Sequence, residues 1–136
     1  MDNGYDNGHW EFPEQMGKAL GFIYVIRDNY MDKLYLGRKE FKTSTGLKTN
    51  WKTYESSSKH LNLLRKERPK SEFSFICVEQ YQTKGGLSWA ETWSLVQCKT
   101  PLNHKRWLNI LIPKVSWAVK EDITERHIER LRNAIN

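Results

Sequence analysis

The chain has few cysteines and no long apolar run, and each shortage removes a class of protein. Its two cysteines, Cys77 and Cys98, match no zinc-module spacing. Two thiolates without histidines placed beside them cannot close a tetrahedral metal site, and they are expected as reduced thiols in a cytoplasmic protein. No apolar run approaches the ~20 residues that cross a bilayer, so no membrane partner is expected. The N-terminal MDNGYDNGHWEF is acidic and polar, unlike a signal peptide. What remains is a 136-residue chain, 38% hydrophobic and 28% charged, long enough for one domain with a real core.

The charge is positive and uneven. The formal net charge is +6, and between Asp32 and Lys70 eleven lysines and arginines face four acids. Such a belt suits a polyanion, and nucleic acid is the commonest one. A solvated lysine-rich surface reads the same way from charge alone.

The chemistry concentrates between Gly21 and Lys39, GFIYVIRDNYMDKLYLGRK. Two short runs of β-branched and aromatic residues, Phe22 to Ile26 and Leu34 to Leu36, flank a polar turn and predict an antiparallel hairpin. Tyr24 and Tyr35 are expected to meet on one face, beside Arg38 and Lys39. Two phenols next to two cations can bind or attack a phosphodiester.

Downstream, Trp51-Lys52-Thr53-Tyr54-Glu55-Ser56-Ser57 leads into a helix capped by Ser57 or Ser58 and ended by Pro69. The run Glu72 to Tyr81 predicts a strand buried on both faces, with Cys77 in the core. Lys84-Gly85-Gly86 predicts a turn, with Ser88 capping a helix that carries Glu91 in its first turn and Leu87 as a hydrophobic staple. Asp122-Ile123-Thr124-Glu125 predicts a capping box before a final helix. Its apolar stripe is expected to be Ile128, Leu131 and Ile135, leaving Arg126, Arg130 and Arg132 to face outward. Residues 1–19 are expected to form a flexible arm, whose end Trp10, Phe12 and Pro13 can pin. A single domain with a C-terminal helical extension is expected over residues 20–136.

At these residues the chain resembles the GIY-YIG nuclease family, in its phage-type members. The first half of the signature stands as Gly21-Phe22-Ile23-Tyr24 and the second as Tyr35-Leu36-Gly37, with Leu for Ile as a departure. The Trp-Lys-x-Tyr-x-Ser-Ser stretch is a second point of likeness, and the resemblance runs over about residues 21 to 112. It implies an α+β fold, a three-stranded antiparallel sheet flanked by helices, and magnesium-dependent cleavage of DNA, with manganese as a substitute. For a phage-encoded member the place of action is the host cytoplasm.

The resemblance also implies roles. Tyr24 is the expected general base, its pKa lowered from about 10 by nearby cations. Tyr35 positions water or a phosphate oxygen, and Arg38 and Lys39 neutralise charge on the phosphoryl group. Glu91 holds the magnesium, with Glu79 the poorer candidate. Gly37, Lys48, Lys52, Ser57 and Asn109 are expected at the substrate, Asn109 matching the family's closing asparagine better than Asn103. One departure stands out: family members commonly carry an arginine on the first helix, and no arginine occurs between Glu40 and Arg65. Lys48 or Lys52, or Arg38 with Lys39, is left to take that duty. His60 reads as a solvent-facing helix residue. Monomer and homodimer both stay open, and so does a module that keeps the fold and binds nucleic acid without cutting it.

Overall fold

The computed structural model describes residues 4–136. The hairpin forms as β1 (Gly21–Asp28) and β2 (Lys33–Glu40), and β3 (Phe73–Tyr81) pairs antiparallel with β1 on its other side. The sheet order is β2-β1-β3. Three helices flank it: α1 (Lys59–Glu67), α2 (Lys84–Gln97) and α3 (Glu125–Ile135). The expected α+β architecture is therefore the observed one.

Alternation along the strands makes two cores. Phe22, Tyr24, Ile26, Phe75 and Cys77 point to one face, where Trp10, Trp51 and Leu61 cover them. Ile23, Val25, Leu34, Leu36 and Val78 point to the other, under Leu87, Ala90 and Leu95 of α2 and Leu131 of α3. The β1–β3 ladder skips Val78 between the pairs Ile23–Glu79 and Tyr24–Cys77. An extra residue of this kind resets the alternation, so Glu79 comes to face the α2–α3 side.

Both sheet edges are closed by chain from outside the sheet. Glu11 accepts from Cys77 N at 3.1 Å and donates to Phe75 O at 2.8 Å, along the edge of β3. On the edge of β2, Leu34 N donates to Arg106 O and Leu108 N donates to Leu34 O, each at 2.8 Å. Covered edges do not recruit stray strands.

The described part of the expected arm lies on the sheet instead. Trp10, Phe12 and Met16 are buried, and Trp10 Nε1 donates to Trp51 O at 2.5 Å. Its first three residues lie outside the described residues. The polar Asp-Asn-Gly repeat masks this anchoring, because Asn7 acts as a core residue: it accepts from Met16 N at 3.0 Å and donates to Glu14 O at 2.9 Å.

Two further expectations are corrected. The helix α2 begins at Lys84, not after Ser88, with Thr83 as its cap: Thr83 Oγ1 accepts from Gly86 N at 3.1 Å. Two adjacent glycines, each costing a helix about 1 kcal/mol against alanine, read as a turn. They are helical here because chain packs against them, as described below. Glu91 is thus inside the helix rather than in its first turn, and Leu87 and Ser88 are buried helix residues.

In α3 the cap is Thr124, which accepts from His127 N at 2.9 Å, and the buried face is His127, Leu131 and Ala134. Ile128 is exposed. The arginines of α3 do not all face outward either. Arg126 pairs with Glu79 and Glu14, and Arg130 donates to Cys77 O at 2.8 Å and Glu11 O at 3.1 Å. Arg132 alone of the three is fully exposed.

Candidate active site

Tyr24 lies opposite Gly37 in the hairpin register, and the glycine is required there. A Cβ at position 37 would stand 2.5 Å from the Tyr24 hydroxyl oxygen, so only glycine lets the phenol cross β2. Tyr24 is buried; its ring centre lies 6.4 Å from that of Tyr35 and 6.0 Å from that of Tyr54. Tyr35 is partly exposed, and the Ser57 side chain lies close enough to act on its phenol. Ser57 reaches it because Ser56 takes a left-handed conformation (φ 80°), held by Ser58 N donating to Ser56 Oγ at 3.1 Å. The Lys39 ammonium lies 4.1 Å from the centre of the Tyr54 ring. Tyr24, Tyr35, Gly37, Lys39 and Ser57 are therefore brought together.

Arg38 alternates to the other side of β2, where its Nε stands 3.5 Å from Glu91 Oε1. The two groups remain within electrostatic reach across this outer strand, since the Glu91 charge acts on both Tyr24 and Tyr35. The site straddles β2, with phenols and an ammonium on one side and a carboxylate and a guanidinium on the other.

Its titration runs against expectation. Burial, then the neighbouring phenols and Glu91, push Tyr24 well above its ordinary pKa. Tyr35 is also raised, by burial and then Glu91, against the opposing effect of Ser57. The expected lowering of Tyr24 by cations does not occur: its own burial is the largest effect, and Arg38 faces the carboxylate instead. Glu91 is raised by burial, and Arg38 only partly opposes this.

Other expected residues stand apart. Lys48 and Lys52 line a separate cavity of about 410 Å³ with Lys18 and Lys42, and Lys52 pairs with Asp6 at 2.6 Å. They do not replace a helix arginine at Tyr24. Asn109 is buried and engages β2 itself: its Oδ1 accepts from Leu36 N at 2.9 Å and its Nδ2 donates to Leu36 O at 2.8 Å. It extends the β2 edge as a strand would and fixes the strand between Tyr35 and Gly37. Glu79 is engaged by Arg126, Thr124 and Gln80 N, and its pKa is lowered.

Two residues of the site were not expected from sequence. Tyr54, read as packing, stands edge-on to Tyr24 with ring centres 6.0 Å apart and carries Lys39 on its ring. His104 joins His60 on the wall of a groove of about 620 Å³ that opens at Tyr35, Ser57 and Asn109. His60 is exposed, as expected, and the groove gives that exposure a direction. For Tyr54 the available signal was its place in the Trp-Lys-x-Tyr stretch; for His104 there was none.

With this geometry in hand, comparison with known proteins decides the family. The sequence model described as "Putative endonuclease segE, GIY-YIG domain" matches residues 5–112. The chain belongs to the GIY-YIG endonuclease domain family. It is also similar to "Intron-associated endonuclease 2" of Enterobacteria phage T4, 46% identical over 46 residues, a stretch that is 33% of this chain and 17% of that relative. The chain thus spans well under two thirds of that relative's length. No solved structure matches.

Magnesium is the metal that the family resemblance implies. Among the described residues no three His, Cys, Asp or Glu side chains gather into a cage. The donor chemistry still fits magnesium, which keeps most of its waters and takes one or two carboxylates together with substrate phosphate oxygens. Glu91 offers one carboxylate of that kind: Arg38 stands 3.5 Å from its Oε1, and burial raises its pKa against that partner.

Proposed function

We propose that the protein is a magnesium-dependent DNA endonuclease whose chemistry takes place where β2 carries Tyr35, Gly37 and Arg38 past Tyr24 and Glu91. One observation carries the reading. Two phenols, a guanidinium, an ammonium and a half-buried carboxylate paired at 3.5 Å converge on one glycine-thinned strand in a chain of this family. A module that only binds nucleic acid has no use for that carboxylate, which repels phosphate.

Glu91 would hold the metal, and the metal when bound supplies Lewis-acid stabilisation of the charge that develops on the phosphoryl and leaving oxygens. Tyr24, protonated at neutral pH, acts as a fixed hydrogen-bond donor. Tyr35, open to the groove, orients the attacking water with Ser57 behind it. The water's proton passes to an imidazole on the groove wall, His60, since imidazole is the side chain that commonly takes and gives protons at neutral pH and a raised phenol is not. Arg38 and Lys39 meet the phosphoryl oxygens from the two sides of β2. Manganese, another hard oxygen-seeking ion, would substitute.

Purified protein incubated with supercoiled plasmid and magnesium is expected to nick or linearise it, and an EDTA control is expected to be silent. Plasmid that stays intact while a gel shift shows tight binding would replace the enzyme with the binding module.

A further inference from the structure

Residues 113–127 lie past the region that matches the family and run back along α2 towards its start. Thr92 Oγ1 donates to Pro113 O at 2.7 Å. The Ala118 carbonyl presses on Gly85, where any Cβ would overlap it. Glu121 holds the capping residue of the helix: its Oε1 accepts from Thr83 N at 2.6 Å and from Thr83 Oγ1 at 2.5 Å, and its Oε2 accepts from Gln82 N at 2.9 Å. A Cβ on Gly86 would meet the same carboxylate at 2.5 Å. The two glycines of α2 exist to admit this strap.

Between those anchors stands Trp117. Its ring centre lies 5.6 Å from the Arg38 guanidinium carbon and 5.7 Å from the Lys84 ammonium. Trp117 belongs to neither hydrophobic core and remains 46% exposed, so packing does not account for it. What it touches is the guanidinium that faces Glu91.

We propose that Trp117 is a positioning residue, the indole through which the C-terminal strap holds Arg38 beside Glu91 and directs it at the scissile phosphate. The inference rests on the endonuclease reading above. A guanidinium held over an aromatic face by cation–π attraction is confined to few rotamers with N–H donors left for phosphate, whereas an arginine without that partner spreads over many. The strap anchors that fix the indole also fix α2, which carries Glu91. One segment therefore sets both partners of the pair.

The test uses the full chain with Trp117→Ala and Trp117→Phe, alone and combined with Arg38→Ala. The Nε–Hε NMR signal of Arg38, shifted by the indole ring current, is expected to move in Trp117→Ala; an unmoved signal overturns the proposal whether or not the protein cuts DNA. In plasmid cleavage, loss of the stack is expected to lower kcat by about tenfold with little change in KM, and Trp117→Phe is expected to recover most of that loss. On the Arg38→Ala background, Trp117→Ala is expected to add nothing. An equal loss on that background, or an unchanged kcat in the single variant, also overturns it. Wild-type protein that leaves plasmid intact would instead defeat the endonuclease reading, while the NMR arm still decides the Trp117–Arg38 contact.

Discussion

Glu79 and Glu91 are two largely buried glutamates served very differently. Around Glu79 the protein supplies a two-pronged guanidinium from Arg126, at 2.6 and 2.8 Å, the Thr124 hydroxyl at 3.2 Å and the Gln80 amide at 2.9 Å. Its pKa falls despite burial. Around Glu91 it supplies Arg38 at 3.5 Å, and the pKa rises. A carboxylate whose lone pairs are satisfied is an anchor, here tying α3 to β3. One kept buried with its charge incompletely offset leaves room for a cation brought by solvent or substrate.

The sharpest way to break this contrast is to remove each carboxylate in turn. Glu91→Ala should lower plasmid cleavage by about a thousandfold or more, since metal stabilisation of transition-state charge is worth several kcal/mol. DNA affinity should hold or tighten in a gel shift, and a thermal melt should show the fold intact. A folded Glu91→Ala protein that cuts at the wild-type rate would return Glu91 to the class of Glu79.

Acid titration probes the anchored side of the molecule. His127 is fully buried, with Nε2 at 2.7 Å from Ser94 Oγ and Nδ1 at 2.9 Å from the Tyr81 hydroxyl, and burial lowers its pKa to about 4. Because Ser94 donates its proton to Ala90 O at 2.6 Å, His127 donates from Nε2 and accepts at Nδ1. A histidine with a lowered folded-state pKa binds its proton more readily when unfolded, so stability should fall as pH drops from about 6.5 towards 4, by up to roughly 3 kcal/mol. His9, also lowered to about 4 by burial, acts in the same window and direction. Denaturant melts across that range check the slope, which His127→Gln should flatten.

Glu79→Ala should cost about 2 kcal/mol of unfolding free energy in urea melts, the scale of lost hydrogen bonds to a charged group, tempered because Arg126 is 38% exposed. The depressed pKa of Glu79 gives stability that is present above the unfolded-state pKa near 4.5 and is lost as pH falls through the lower folded value. Glu91 has the opposite sign: its raised pKa disfavours the charged folded state at neutral pH, so Glu91→Gln should raise the melting temperature slightly while it impairs cleavage. A fall in melting temperature in that variant would mean that Arg38 already satisfies the carboxylate. Smallest of all, Lys48→Ala should reduce the salt slope of DNA binding by about 0.9 if that lysine meets one phosphate. An unchanged slope would take its cavity off the DNA path.

The sequence disclosed what local rules govern. The hairpin, the doubly buried β3 and the Ser58 cap follow from periodicity and short-range hydrogen bonding, as does the final helix, although its cap is Thr124 and not Asp122. Tyr24, Tyr35 and Gly37 follow from the signature. The rest depended on residues far apart in the chain. Gly85 and Gly86 read as a turn until Ala118 and Glu121 are seen against them. Arg126 and Arg130 read as solvent-facing until Glu79 and the Cys77 carbonyl appear opposite. The direction of the Tyr24 pKa needed its burial under Trp10 and Tyr54, which no pattern near position 24 announces.

The closed sheet edges carry a kinetic consequence. Asn109 reaches Leu36 across 73 residues of sequence, and Arg130 reaches Glu11 across 119. Loops that long must close before the contacts reward them, so the hairpin cannot be completed by its neighbours in sequence, and folding should be slow for a domain of this size. A nascent chain that has not yet made residue 109 holds both signature tyrosines on a strand with an open edge. It also lacks the strap that steadies Arg38. The contacts that close the sheet edges and tie the C-terminal helix to the segment synthesised first therefore await the last part of the chain.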